Sequence, residues 1–206
     1  MHVFAFTLLL ASAVASATDL SGNYTVSGKN PGGAAYSGKL SVRAEGVAYR
    51  LSWDTGSNLS GLAVPAGNML VASFGAGCGV VAYQKASGGV LNGTWIAEGI
   101  GAGTEQAAPG AGVRGLAGDY LVKGKNANGA PYKGALAIAT NGQQLRLSWK
   151  TGTNFEGFGF ERNGVVAAAY GAPSCGLVVY KIAPDGSLDG AWKMLDGGFG
   201  TEVARR

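Results

Sequence analysis

The sequence predicts an all-β protein made of two tandem eight-stranded antiparallel meander barrels. Three observations carry that expectation: the chain is written twice, glycine fills 37 of 206 positions between short apolar or alternating runs, and no helical periodicity follows residue 17. Gly22-Asn23-Tyr24 begins a unit that starts again at Gly118-Asp119-Tyr120, and the copies align at an offset of 96 as far as the first cysteine. One extra residue in the Pro173-Ser174 segment moves the offset to 97, after which Cys78 meets Cys175, Tyr83 meets Tyr180, Trp95 meets Trp192 and Glu105 meets Glu202. Two copies punctuated alike are expected to fold by the same rules.

Met1 to Ala17 carries no charge, holds an apolar run from Val3 to Val14 and ends in Ala15-Ser16-Ala17, a small-x-small pattern. This is expected to be a cleaved secretory signal, 1–17, placing the rest in the periplasm or outside the cell. The expected organisation is then a first barrel over 18–107, a linker over 108–115 rich in Ala, Pro and Gly, and a second barrel over 116–206. No later apolar run approaches the roughly 20 residues of a spanning helix, so no membrane span is expected.

In the first copy strands are placed at Gly22 to Gly28, Ala35 to Ala44, Ala48 to Trp53, Leu59 to Val64, Met69 to Phe74, Gly79 to Lys85, Val90 to Ala97 and Gly103 to Ala107. Between them lie turns such as Asn30-Pro31-Gly32-Gly33, Glu45-Gly46, Pro65-Ala66-Gly67-Asn68 and Gly75-Ala76-Gly77, whose glycines suit positive φ. The second copy supplies the matching set. Eight strands in consecutive hairpins leave two exposed edges, and closing the meander into a barrel removes both. Alternation puts Tyr49, Leu51 and Trp53 inward against Arg50, Ser52 and Asp54, and Leu145, Leu147 and Trp149 inward in the second copy. The fifth and sixth strands, Met69-Leu70-Val71-Ala72 and Val80-Val81-Ala82-Tyr83, are apolar on both faces. Such strands need cover on both sides, so they are expected to pack barrel against barrel, or chain against chain.

The net charge of +4 is spread thinly: Thr18 to Ala107 holds five basic and five acidic residues, and Gly115 to Arg206 ten and seven. That is no basic stripe, and no nucleic-acid partner is expected. The single histidine, His2, lies in the signal, which removes Ser-His and Cys-His nucleophile pairs and His-based zinc sites. No catalytic residue, metal site or cofactor is expected, and the chain reads as a non-enzyme. Glu105 and Glu202, each after a threonine, recur in both copies; the favoured expectation is that they pair with Lys29 and Lys125 in support of the fold, and the alternative is that they hold a ligand amine or a cation.

Cys78 and Cys175 occupy equivalent positions and are the candidates for a disulfide in an exported chain. Two separately buried thiols are the favoured alternative, because a bridge needs Cα atoms within about 7 Å. The recurring rings Tyr36, Trp53, Trp95, Tyr132, Trp149 and Trp192 are the candidate ligand-binding residues, able to line a barrel mouth. The competing expectation is that they fill the interior of a small barrel.

The shared pattern Gly-x-Tyr-x-Val-x-Gly-Lys-Asn, Tyr-x-Gly, Leu-Ser-Trp, Cys-Gly-x-Val-x-Tyr, Leu-x-Gly-x-Trp and Gly-Thr-Glu resembles a group of small exported bacterial proteins often labelled fibronectin-binding protein. The resemblance covers both copies and implies adhesion to a host matrix protein, without site residues to carry over. The up-and-down architecture is also similar to avidin-like and lipocalin-like barrels, which implies a small-ligand carrier as the alternative function. A third alternative joins all sixteen strands into one outer-membrane barrel.

Overall fold

A computed structural model describes residues 19–206, so the expected signal segment 1–17 lies outside the described residues. Glycine-centred turns cut the chain into sixteen strands: β1 (Gly22–Lys29), β2 (Ala35–Glu45), β3 (Ala48–Asp54), β4 (Asn58–Ala66), β5 (Met69–Phe74), β6 (Cys78–Lys85), β7 (Leu91–Ala97), β8 (Gly101–Pro109), β9 (Gly118–Lys125), β10 (Pro131–Asn141), β11 (Gln144–Lys150), β12 (Asn154–Arg162), β13 (Val165–Gly171), β14 (Gly176–Ile182), β15 (Leu188–Met194) and β16 (Phe199–Arg205). They close as two antiparallel barrels of eight strands each. Side chains alternate as the sequence implies, with Leu51 and Trp53 buried and Ser52 and Asp54 exposed. Apolar inside and polar outside is the reverse of a lipid-facing barrel, and the single sixteen-stranded barrel is not formed.

The barrels do not follow the repeats, and here the expected organisation is corrected. Barrel one runs β1-β16-β15-β14-β5-β4-β3-β2, and barrel two runs β10-β11-β12-β13-β6-β7-β8-β9. The chain builds five strands of barrel one as a meander and leaves it after β5 to lay down β6, β7 and β8 in barrel two. It then completes barrel two with β9 to β13 and returns with β14 to β16. Two pairings make this possible: β5 accepts β14, with Val71 opposite Val179, and β13 accepts β6, with Ala168 opposite Val81. The segment 108–115 is therefore no interdomain linker. It connects neighbouring strands of one barrel, where Pro109 of β8 pairs with Tyr120 of β9.

The crossings are local and chemically specified. Gly75 and Gly77, between β5 and β6, hold φ of 108° and 70°, and Gly171, where β13 gives way to β14, holds φ of 113°. L side chains resist these angles, so glycine lets the chain swing out of one wall into the other. Cys78 and Cys175 sit just beyond the two crossings and are joined by a disulfide, with Cα atoms 5.6 Å apart. The favoured expectation of separate thiols is overturned because the exchange brings the starts of β6 and β14 together.

Three apolar clusters follow. Tyr24, Val26, Leu40, Leu51 and Leu188 fill the closed end of barrel one, and Leu91, Tyr120, Val122, Leu136 and Leu147 do the same in barrel two. The third lies between the barrels, where Leu62, Val64, Met69 and Val71 meet Phe158, Phe160, Val165 and Ala167. Strands β5, β6, β13 and β14 give one face to a barrel interior and the other to this middle layer, which explains their two-sided apolar pattern.

Cleaving the chain within residues 110–115 leaves, on this topology, two fragments that remain associated even after reduction, because each barrel contains strands from both. Gel filtration of nicked, reduced protein checks this: elution as two half-size species contradicts the exchange. Replacing both cysteines (Cys78→Ser with Cys175→Ser) lowers stability by about 2–4 kcal/mol, the cost of opening a long loop. Guanidinium denaturation measures it, and the far-UV circular dichroism stays unchanged.

Candidate functional site

The sequence places a glycine across the ladder from each of eight rings, four per barrel. In barrel one the cross-strand partners are Gly28 with Tyr36, Gly176 with Phe74, Gly190 with Tyr180 and Gly200 with Trp192. In barrel two they are Gly124 with Tyr132, Gly79 with Tyr170, Gly93 with Tyr83 and Gly103 with Trp95. Each ring folds flat over its glycine, so closely that a Cβ added there would overlap the ring atoms. Rings held against the wall do not cross the barrel. Each barrel therefore keeps an open cavity at one end, of about 380 Å³ in barrel one and about 330 Å³ in barrel two.

All six candidate rings line these cavities: Tyr36, Trp53 and Trp192 in the first, and Trp95, Tyr132 and Trp149 in the second. Tyr36, Tyr132, Trp95 and Trp192 are half-buried, each held against the glycine opposite, whereas Trp53 and Trp149 also belong to the buried barrel cores, as the competing expectation had it. The exchange of strands assembles each set from both copies, since Tyr36 and Trp53 come from the first repeat and Trp192 from the second. The structure adds Tyr180, Phe74 and Glu202 to the first cavity and Tyr83, Tyr170 and Glu105 to the second.

The glutamates are the chemical centre. Glu202 is 5% exposed and Glu105 6%. Glu202 Oε2 accepts from the Tyr36 hydroxyl at 2.9 Å, and Oε1 accepts from the Tyr180 hydroxyl and from Trp53 Nε1 at 3.1 Å. Glu105 repeats this with Tyr132 at 2.8 Å, Tyr83, and Trp149 Nε1 at 3.2 Å. The expected partners Lys29 and Lys125 are exposed on the outer wall and form no ion pair with either carboxylate. Alternation dictates this: Gly28 and Gly124, opposite the glutamates, face inward, so the lysine that follows each faces out.

Burial, and then the charge of Glu202, push the Tyr36 and Tyr180 hydroxyls well above the ordinary tyrosine range. Burial and Glu105 do the same to Tyr83, Tyr132 and Tyr170. These hydroxyls stay protonated and serve as fixed donors rather than as bases.

The cavities differ in detail. Trp95 Nε1 donates to the Tyr132 hydroxyl at 3.0 Å, whereas the equivalent Trp192 Nε1 is buried without a partner among the described residues. Phe74 and Leu59 of the first cavity stand where the second has Tyr170 and Phe155. Comparison with protein-family models, with curated proteins and with solved structures returned no match to this chain.

Two outcomes are expected. Unfolded tyrosines ionise from about pH 10, while the cavity tyrosines keep their protons, so the folded state is at full stability below pH 10 and loses it as pH rises toward their raised folded values. Absorbance at 295 nm against pH checks this; a complete tyrosine titration near pH 10 in still-folded protein contradicts it. Gly124→Ala forces a methyl into the Tyr132 ring and costs about 1–3 kcal/mol in denaturant melts.

Proposed function

We propose that the protein is a non-catalytic binding protein that holds one small molecule in each barrel mouth, working in the periplasm or outside the cell. The observation that carries this reading is the pair of aromatic-walled cavities, each kept open by rings folded onto glycines and each centred on a buried carboxylate. Their volumes lie at the lower end of the range used for small ligands, and apolar walls with a few fixed polar groups are what such sites require. The carboxylates have no histidine, thiol or second carboxylate beside them among the described lining residues, which supports binding rather than turnover. A disulfide between Cys78 and Cys175 fits an oxidising compartment.

All four tryptophans of the chain line the cavities, so tryptophan fluorescence, excited beyond the tyrosine band, reports on them. A metabolite library screened by tryptophan fluorescence and thermal shift should return ligands that saturate at two per chain and raise the melting temperature. Adhesion to a matrix protein such as fibronectin would use the outer walls and turns. Saturable retention on immobilised matrix protein, with no fluorescence response to any small molecule, is the result that would replace this reading with that one.

A further inference from the structure

We infer that each cavity is selective for an organic cation, an amine or ammonium group on an apolar body, with Glu202 and Glu105 as the counter-charges. The inference rests on the cavity-binding reading and names its ligand class. Three observations carry it. First, each glutamate is the sole charged side chain among the described residues lining its cavity. Its hydrogen-bond donors, two tyrosine hydroxyls and an indole N–H, are neutral, so the negative charge is solvated but not cancelled. A buried charge without a counter-ion is costly, and an incoming cation relieves that cost where a neutral or anionic group does not.

Second, the hydrogen-bond count leaves room. A carboxylate offers about four acceptor positions. Oε1 of Glu202 is met by Tyr180 and Trp53, but Oε2 is met by Tyr36 alone, and Glu105 repeats the pattern with Tyr83, Trp149 and Tyr132. One position on Oε2 remains for an N–H of the ligand.

Third, the walls suit a cation. Trp53, Phe74 and Trp192 stand edge to face around the first cavity, with centroids 6.0 and 6.2 Å apart, and Trp149 and Tyr170 stand 5.8 Å apart in the second. Ring faces attract ammonium groups and are neutral toward an uncharged isostere. The surrounding tyrosines hold their protons because burial and the glutamate disfavour a second negative charge there, so no hydroxyl competes as an anion.

The test uses the chain lacking residues 1–17 and three probes sharing one body: phenethylamine, phenethyl alcohol and phenylacetate, titrated by calorimetry and tryptophan fluorescence. The expected result is two sites for phenethylamine, bound roughly 10- to 100-fold tighter than the alcohol, and no measurable phenylacetate binding. Glu202→Gln and Glu105→Gln should each remove the amine preference at one site and leave the other intact. If a glutamine variant does not fold, the ranking of the three probes on the unaltered protein decides alone. Equal or tighter binding of the alcohol or the acid at two sites overturns cation selectivity and leaves the cavity-binding reading standing. No response to any of the three overturns the inference, and a silent library screen beside it removes the cavity-binding reading as well.

Discussion

Neither barrel can close without strands from the other half of the chain, and this pairing is the constraint on which the rest depends. After five strands the first repeat presents β5 as an open edge, and that edge is taken by β14 rather than by β6. The edge of β13 is taken by β6. Both sheets become edgeless at once, which removes the aggregation risk an open meander carries. The exchange also turns the second faces of β5, β6, β13 and β14 toward one another. Strands β4 and β12 add Leu62, Val64, Phe158 and Phe160 to the same layer. The disulfide lies at the point where the two crossings meet, restraining the unfolded chain across a separation of 97 residues.

Space inside the barrels comes from a second device. Eight strands enclose just enough volume for side chains to fill, and the closed ends here are filled by Leu, Val and Tyr. At the open ends the same volume is kept clear by pairing every ring of the wall except Trp53, Trp149 and the rim residue Phe155 with a glycine across the ladder. Glycine weakens a strand, but a ring folded over it recovers buried contact along the wall. The result is a cavity lined by flat aromatic faces with a carboxylate at its centre. Such a charge is tolerated there because three oriented donors take the place of water.

Because the duplication is imperfect, the two mouths are alike in chemistry and unlike in detail. Both have the glutamate, two hydroxyl donors and two indoles. They differ at Phe74 against Tyr170, Leu59 against Phe155 and Met194 against Ala97. The Trp192 N–H without a partner among the described residues belongs to one of them only. The glutamate and its donors are kept in both copies, while other lining residues vary.

Alternation and turn chemistry are local properties, and they made much of this molecule legible. The sixteen strands, their inward faces, the two-sided character of β5 and β6 and the six candidate rings could be read from period-two patterning and from glycine placement. The Thr-Glu pairs were visible as well, although their partners were not, because which tyrosine faces a glutamate depends on register across strands far apart in sequence. What the sequence could not determine was which copy each strand would pair with. Strands β6 and β14 carry the same Cys-Gly-x-Val-x-Tyr pattern, so the edge of β5 meets nearly the same surface in either. Local pairing energies are then almost degenerate. The choice falls to long-range terms: the middle apolar layer, the glycine crossings and the disulfide, which exist only once both barrels are in place.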